Sequence, residues 1–171
     1  MTEVRAITGK IILEGVGVWV PCYMFGVEKR GYKCNMWLEI FDEVGGIGFI
    51  PYVDDKPVGQ MVFLPKKYAR KIGLPTSQTD ENMDATMVIG CLFVFAEHQN
   101  KGIASAMIKA LIDFCKDHGY NRVEAPVDLR PPPEAGLKIS FFPFRKFGFI
   151  IDESREAWEF RPETRMCVCD L

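Results

Sequence analysis

The chain has no excess of either charge: 21 Lys and Arg stand against 23 Asp and Glu in 171 residues, a formal net charge of -2. Nucleic-acid-binding domains carry a basic surplus and disordered tails carry like-charge blocks, so neither class fits. No apolar stretch approaches the ~18 residues that span a bilayer. The first ten residues, MTEVRAITGK, place charges where a secretory signal needs an apolar core. These absences predict a soluble cytoplasmic protein with neither a nucleic-acid nor a membrane partner. Internal repeats and low-complexity tracts are missing as well. Without a secretory signal, the six cysteines read as reduced thiols rather than a disulfide framework. The Cys-x₂₋₄-Cys pairs of zinc sites are also absent, since Cys22 and Cys34 are twelve apart and Cys167 and Cys169 only two. No metal is expected.

What is present suits one folded domain. Apolar residues make up 48% and aromatic residues 12% of the chain, enough for a substantial core, and nothing in the length calls for a second domain. Residues 35–44 place Met36, Trp37, Ile40, Phe41 and Val44 on one helical face and Glu39, Asp42 and Glu43 on the other, with Gly45 and Gly46 as the stop. IGFIPYV and PVGQMVFL flank Asp54, Asp55 and Lys56, which predicts an antiparallel hairpin. Residues 65–84, basic at the start and acidic at the end, read as an exposed excursion. The unbroken apolar run ATMVIGCLFVF predicts a strand buried on both faces. YNRVEAPV reads as another strand and DLRPPPEAG as an irregular loop. ISFFPFRKFGFII reads as a short helix closed at Gly148 and followed by a strand. EAWEF and RMCVCDL are expected to be the terminal strands.

The most informative stretch joins the apolar run to a helix. Gln99, Asn100, Lys101, Gly102, Ile103 and Ala104 sit where a buried strand hands over to an amphipathic helix lined by Ile103, Met107, Ala110, Leu111 and Phe114. The first N–H groups of a helix lack intrahelical partners and lie at the positive end of its dipole, an arrangement suited to phosphate. Gly102 lets the backbone approach a ligand, Ala104 offers little to block it, and Lys101 adds positive charge. Neither the P-loop pattern nor the three-glycine dinucleotide fingerprint is present.

Gln99, Gly102 and Ala104 do match Gln/Arg-x-x-Gly-x-Gly/Ala. This resembles the diphosphate-binding motif of the GNAT superfamily of acetyl-CoA-dependent N-acetyltransferases. The likeness extends over VFAEHQNKGIASAMIKALIDFCKDHGYNRVEA and the later FRKFGF, so that it covers roughly residues 47–151, with 1–46 divergent and 152–171 as closing strands. It implies a mixed α/β fold: a mostly antiparallel sheet flanked by helices, with splayed central strands. Acetyl-CoA would be the co-substrate. Its diphosphate would rest on Gln99 to Ala104, and its pantetheine arm would run beside Leu92, Phe93 and Val94, pairing with the Leu92 and Val94 backbone. Gly90, a glycine inside a strand, would mark the bulge at which the strands part.

The reaction implied is direct attack of a primary amine on the thioester in a ternary complex. The central strand contains no carboxylate to take the amine's proton. Asp84 at its start and Glu97 at its end are the candidate bases, acting through water. Relatives commonly protonate the leaving thiolate with a tyrosine where this chain has Phe144, so that role does not carry over. Cys91, inside an apolar strand, reads as core. The acceptor, a small-molecule or peptide amine, would be bordered by Tyr23, Met24, Tyr32, Trp37 and the DLRPPPEAG loop, while Glu39, Asp42 and Asp128 read as solvated carboxylates. A homodimer is left open. The alternative is an acyl-CoA-binding or sensing module with little turnover.

Overall fold

The computed structural model describes residues 2–14, 30–71, 74, 76–77, 83–130, 139–156 and 164–171. Among these, eight strands form one sheet: β1 (Thr2–Ala6), β2 (Gly48–Val53), β3 (Lys56–Pro57), β4 (Gly59–Pro65), β5 (Thr86–Val94), β6 (Arg122–Asp128), β7 (Ile150–Glu156) and β8 (Thr164–Asp170). Their order is β1-β2-β4-β5-β6-β8-β7, with β3 paired to β2. Every pairing is antiparallel except that of β5 with β6. The helices are α1 (Gly9–Glu14), α2 (Arg30–Val44), α3 (Lys66–Lys71) and α4 (Ile103–Asp117).

Local sequence explains these elements. Helix α2 buries Trp37, Ile40 and Val44 and exposes Glu39, Asp42 and Glu43, the division its periodicity predicts. The β2–β3 turn places Asp54 and Asp55 at φ 49° and 59°, the paired left-handed conformation that fits a tight hairpin. Along α4, Ile103, Met107, Ile108, Leu111 and Cys115 are buried. Phe114 reaches from this helix to Phe63 of β4, ring centroids 5.1 Å apart, and Phe63 meets Phe49 of β2 at 5.3 Å. This aromatic row fixes the face on which α4 lies. A 3₁₀ helix over Phe142–Phe147 ends at Gly148, φ 82°, as its composition predicts, with Phe144 wholly buried edge-on to Phe149.

Two expectations need correction. Residues 65–84 are not simply exposed: Lys66, Ala69, Leu74, Thr76 and Ser77 are buried. The basic composition concealed this because Lys66 points inward to a carboxylate 58 positions away, a partner no local pattern reveals. Asp128 is not a solvated carboxylate either; it ends β6 fully buried and ion-paired to Arg130. Strand β1 aligns with β2 from Thr2↔Val53 to Ala6↔Phe49. Most of the predicted loop 128–136, most of EAWEF, and Cys22, Tyr23 and Met24 lie outside the described residues.

Candidate functional site

The site begins where β5 and β6 part. Their parallel pairing runs only from Thr86↔Arg122 to Val88↔Glu124, although β5 continues to Val94 and β6 to Asp128. Beyond Val88 and Glu124 the two strands form a fork whose mouth faces the β5–α4 loop. On the other side of β5, the ladder with β4 holds from Gly59↔Val94 to Val62↔Cys91 and resumes at Phe63↔Ile89. Gly90 is therefore the extra residue of a bulge beside the point of divergence. A Cβ there would stand 3.2 Å from Leu74 Cδ1 and 3.6 Å from Leu64 Cδ2, tight enough to force a neighbour aside.

Alternation along β5 decides which backbone groups face the fork. The Phe95 N–H donates to the Val58 carbonyl (2.9 Å), on the β4 side. Peptide groups two residues apart point the same way, so Phe93 also faces β4, whereas Leu92 and Val94 face the gap. The Val94 carbonyl accepts from Gln99 Nε2 (2.9 Å), which folds the loop back onto the strand end. The Lys101 ammonium donates to the Glu97 carbonyl (2.8 Å), a second tie within the loop. Asn100 and Gly102 take φ 59° and 79°, and Gly102 caps α4 with open space where its Cβ would lie. The helix N-terminus is thus presented bare toward the mouth.

The carboxylates are distributed differently. Asp84 is exposed at the closed end of the sheet, 3.5 Å from Lys67 Nζ. Glu97 is exposed at the mouth. Strand β5 is nine residues long and lies between them, so they sit beyond opposite ends of a strand about 26 Å long. Among the described residues, the carboxylate nearest the point of divergence is Glu124, which composition did not single out. It is wholly buried with Lys66, whose Nζ lies 3.0 Å from Glu124 Oε1. The Ser77 N–H donates to Oε2 (2.8 Å), its hydroxyl donates to Oε1, and Arg122 Nε adds a contact at 3.2 Å. Burial pushes the Glu124 carboxyl up, but the Ser77 hydroxyl and N–H and the Lys66 ammonium hold it below the ordinary value. Burial pushes Lys66 down, and Glu124 offsets only part of this. The cluster clamps α3 and the Ser77 segment to the apex of the fork.

Four of the six cysteines have described side chains, and they offer little chemistry. Cys91, Cys115, Cys167 and Cys169 are buried, and burial pushes the Cys115 thiol up to about 12. Among the described residues, no His, Cys, Asp and Glu cluster could hold a metal ion. No helix of the described residues is long and apolar enough to cross a membrane.

The acetyltransferase (GNAT) family matches the chain by sequence over residues 18–133. The chain belongs to the GNAT acetyltransferases. GNAT membership makes the protein an acetyltransferase with acetyl-CoA as its donor. Solved structures share its fold at low identity. A GNAT-family acetyltransferase from Streptococcus pneumoniae superposes with a TM-score of 0.66 at 10% identity, covering 100% of this chain and 99% of that one. For yncA from Salmonella typhimurium, solved with acetyl-CoA, the values are 0.62, 12%, 99% and 94%. Arabidopsis thaliana Naa50, in complex with the bisubstrate analogue CoA-Ac-MVNAL, gives 0.59, 15%, 99% and 99%. No curated protein matches the chain by sequence. In this GNAT chain the position of the expected tyrosine is Phe144, a core residue without a proton to give.

Proposed function

We propose that the protein is a cytoplasmic N-acetyltransferase that binds acetyl-CoA in the β5–β6 fork and transfers the acetyl group to a primary amine in a ternary complex. The observation that carries this reading is the abrupt end of β5–β6 pairing beside the Gly90 bulge, in line with the bare N-terminus of α4. The diphosphate rests on the N–H groups of Gly102, Ile103 and Ala104, with Gln99, Asn100 and Lys101 shaping the loop around it. The pantetheine arm lies along β5, taking the outward backbone groups of Leu92 and Val94. Phe93 contributes its ring, which meets Phe95 at 5.6 Å.

The amine attacks the thioester carbonyl, N–H groups at the fork hold the oxyanion, and coenzyme A departs as thiolate. A thiol pKa of about 8.5 lets that anion leave without a general acid, which suits Phe144. The amine's proton passes through water to Glu97 or Asp84. Loss of a true general base costs on the order of 10²–10⁴-fold in rate. Comparing Glu97→Gln with Asp84→Asn therefore separates the base from the bystander, and equal activity in both would discard the pair. The site itself is tested by calorimetric titration with acetyl-CoA: wild type should bind and Gly102→Glu should not. Absence of binding by folded wild type would defeat the proposal.

A further inference from the structure

The closed end of the fork remains outside this scheme. In the plane of the sheet, the space between β5 and β6 stops at Val88↔Glu124, the last position at which the two strands pair. A chain that enters along β5 from the mouth must there turn out of the plane, to one face or the other. The face toward α4 is filled. Phe63 points to that helix and its ladder partner Ile89 shares the face, and both are 0% exposed, as are Met107 and Leu111 of α4. Leu64, the next residue of β4, points to the opposite face. A Cβ on Gly90 would approach Leu64, so Gly90 opens toward this second face. From Thr86 to Leu92 every residue is buried except Gly90, which is partly exposed. Solvent therefore reaches this part of the strand at the one residue without a side chain.

Leu74 borders that opening. Its Cδ1 lies 3.2 Å from where a Gly90 Cβ would stand, so the leucine side chain packs on the glycine. Leu74 is itself buried, and it is held from both sides. Its N–H donates to the Ala69 carbonyl of α3 (2.8 Å). Three residues on, the Ser77 N–H donates to Glu124 (2.8 Å), on the strand that forms the other arm of the fork. A side chain fixed in this way yields only at the expense of the packing around it. A methyl group that ends against it gains contact, whereas a longer chain must displace it. In a tight apolar pocket one methylene changes affinity roughly 10- to 200-fold.

We infer that Leu74 limits the length of the transferred acyl group: the acetyl methyl ends against it beside Gly90, and longer acyl chains are turned away. The bond broken and the bond made, C–S and C–N, are the same for every acyl group, so the selection is by size alone. This rests on the proposed binding of acetyl-CoA in the fork, and the test keeps the two apart. Free coenzyme A, acetyl-CoA, propionyl-CoA and butyryl-CoA are titrated calorimetrically into wild type, Leu74→Ala and the milder Leu74→Val, with no amine present. Failure of folded wild type to bind any of the four would sink both readings. Wild type should hold butyryl-CoA about tenfold or more less tightly than acetyl-CoA. Leu74→Ala should bring the two within about threefold of each other, and Leu74→Val should recover propionyl-CoA before butyryl-CoA. Free coenzyme A, which has no acyl group, should bind all three proteins alike. Equal affinity of wild type for acetyl-CoA and butyryl-CoA would overturn the assignment and leave the fork as the coenzyme site. So would a preference that survives in a folded Leu74 variant, or an affinity loss shared by all four ligands, which is the mark of a merely structural side chain. Leu74→Val removes little volume, so the comparison holds even if Leu74→Ala fails to fold.

Discussion

Lys66 shows how far composition can mislead. In the sequence it is one basic residue among several in PKKYARK; in the fold it is 0% exposed, facing Glu124. Removing one partner of a buried pair strands the other charge, so Glu124→Gln or Lys66→Met should each lower stability by about 3–5 kcal/mol in urea unfolding, with the double apolar replacement recovering much of the loss. Glu124 also sets a pH dependence. Its folded pKa lies below its unfolded value near 4.3, so its contribution is complete above that value and is lost as pH falls through the folded pKa. Urea midpoints of wild type should therefore fall more steeply below pH ~4.5 than those of Glu124→Gln. Equal slopes would mean that the clamp does not depend on ionisation.

At the scale of elements, the two glycines of the site do different work. Gly102 sits at φ 79° with open space around its missing side chain. Gly102→Ala should then cost only about 1–2 kcal/mol in backbone strain and leave acetyl-CoA binding measurable, whereas Gly102→Glu should abolish binding. Gly90 is limited by space. Gly90→Val should destabilise by roughly 1–3 kcal/mol through overpacking against Leu74 and Leu64, read as a lowered thermal midpoint. Elements with a strong local signal were legible in the sequence: α2 and α4 by period, the Asp54–Asp55 hairpin by turn chemistry, and β5 by its apolar run. The bulge at Gly90 was legible too, because glycine weakens a strand interior and so tends to mark a bulge or a close backbone approach. The Glu124 clamp and the Asp128–Arg130 pair were not. Each depends on tertiary partners, and a carboxylate within RVEAPVD has the same local context whether it faces water or a buried lysine.

For the whole molecule, ligand and fold are linked. A ligand that binds only the folded state at 100 times its Kd adds about 2.7 kcal/mol, which in a chain of this size raises the thermal midpoint by roughly 5–10 °C. Saturating acetyl-CoA should produce that shift in wild type and none in Gly102→Glu. The same experiment followed by hydrogen exchange should slow the Leu92 and Val94 amides, which face the gap in the ligand-free sheet.

Those amides have a further consequence. Among the described residues, the sheet leaves outer edges at β1 and β7, and the fork opens one more along β5, in the middle of the sheet. Such edges invite strands from other chains. On the proposed reading, acetyl-CoA is a detachable strand that closes the sheet for part of each catalytic cycle, so the protein is most open to self-association when its substrate is scarce.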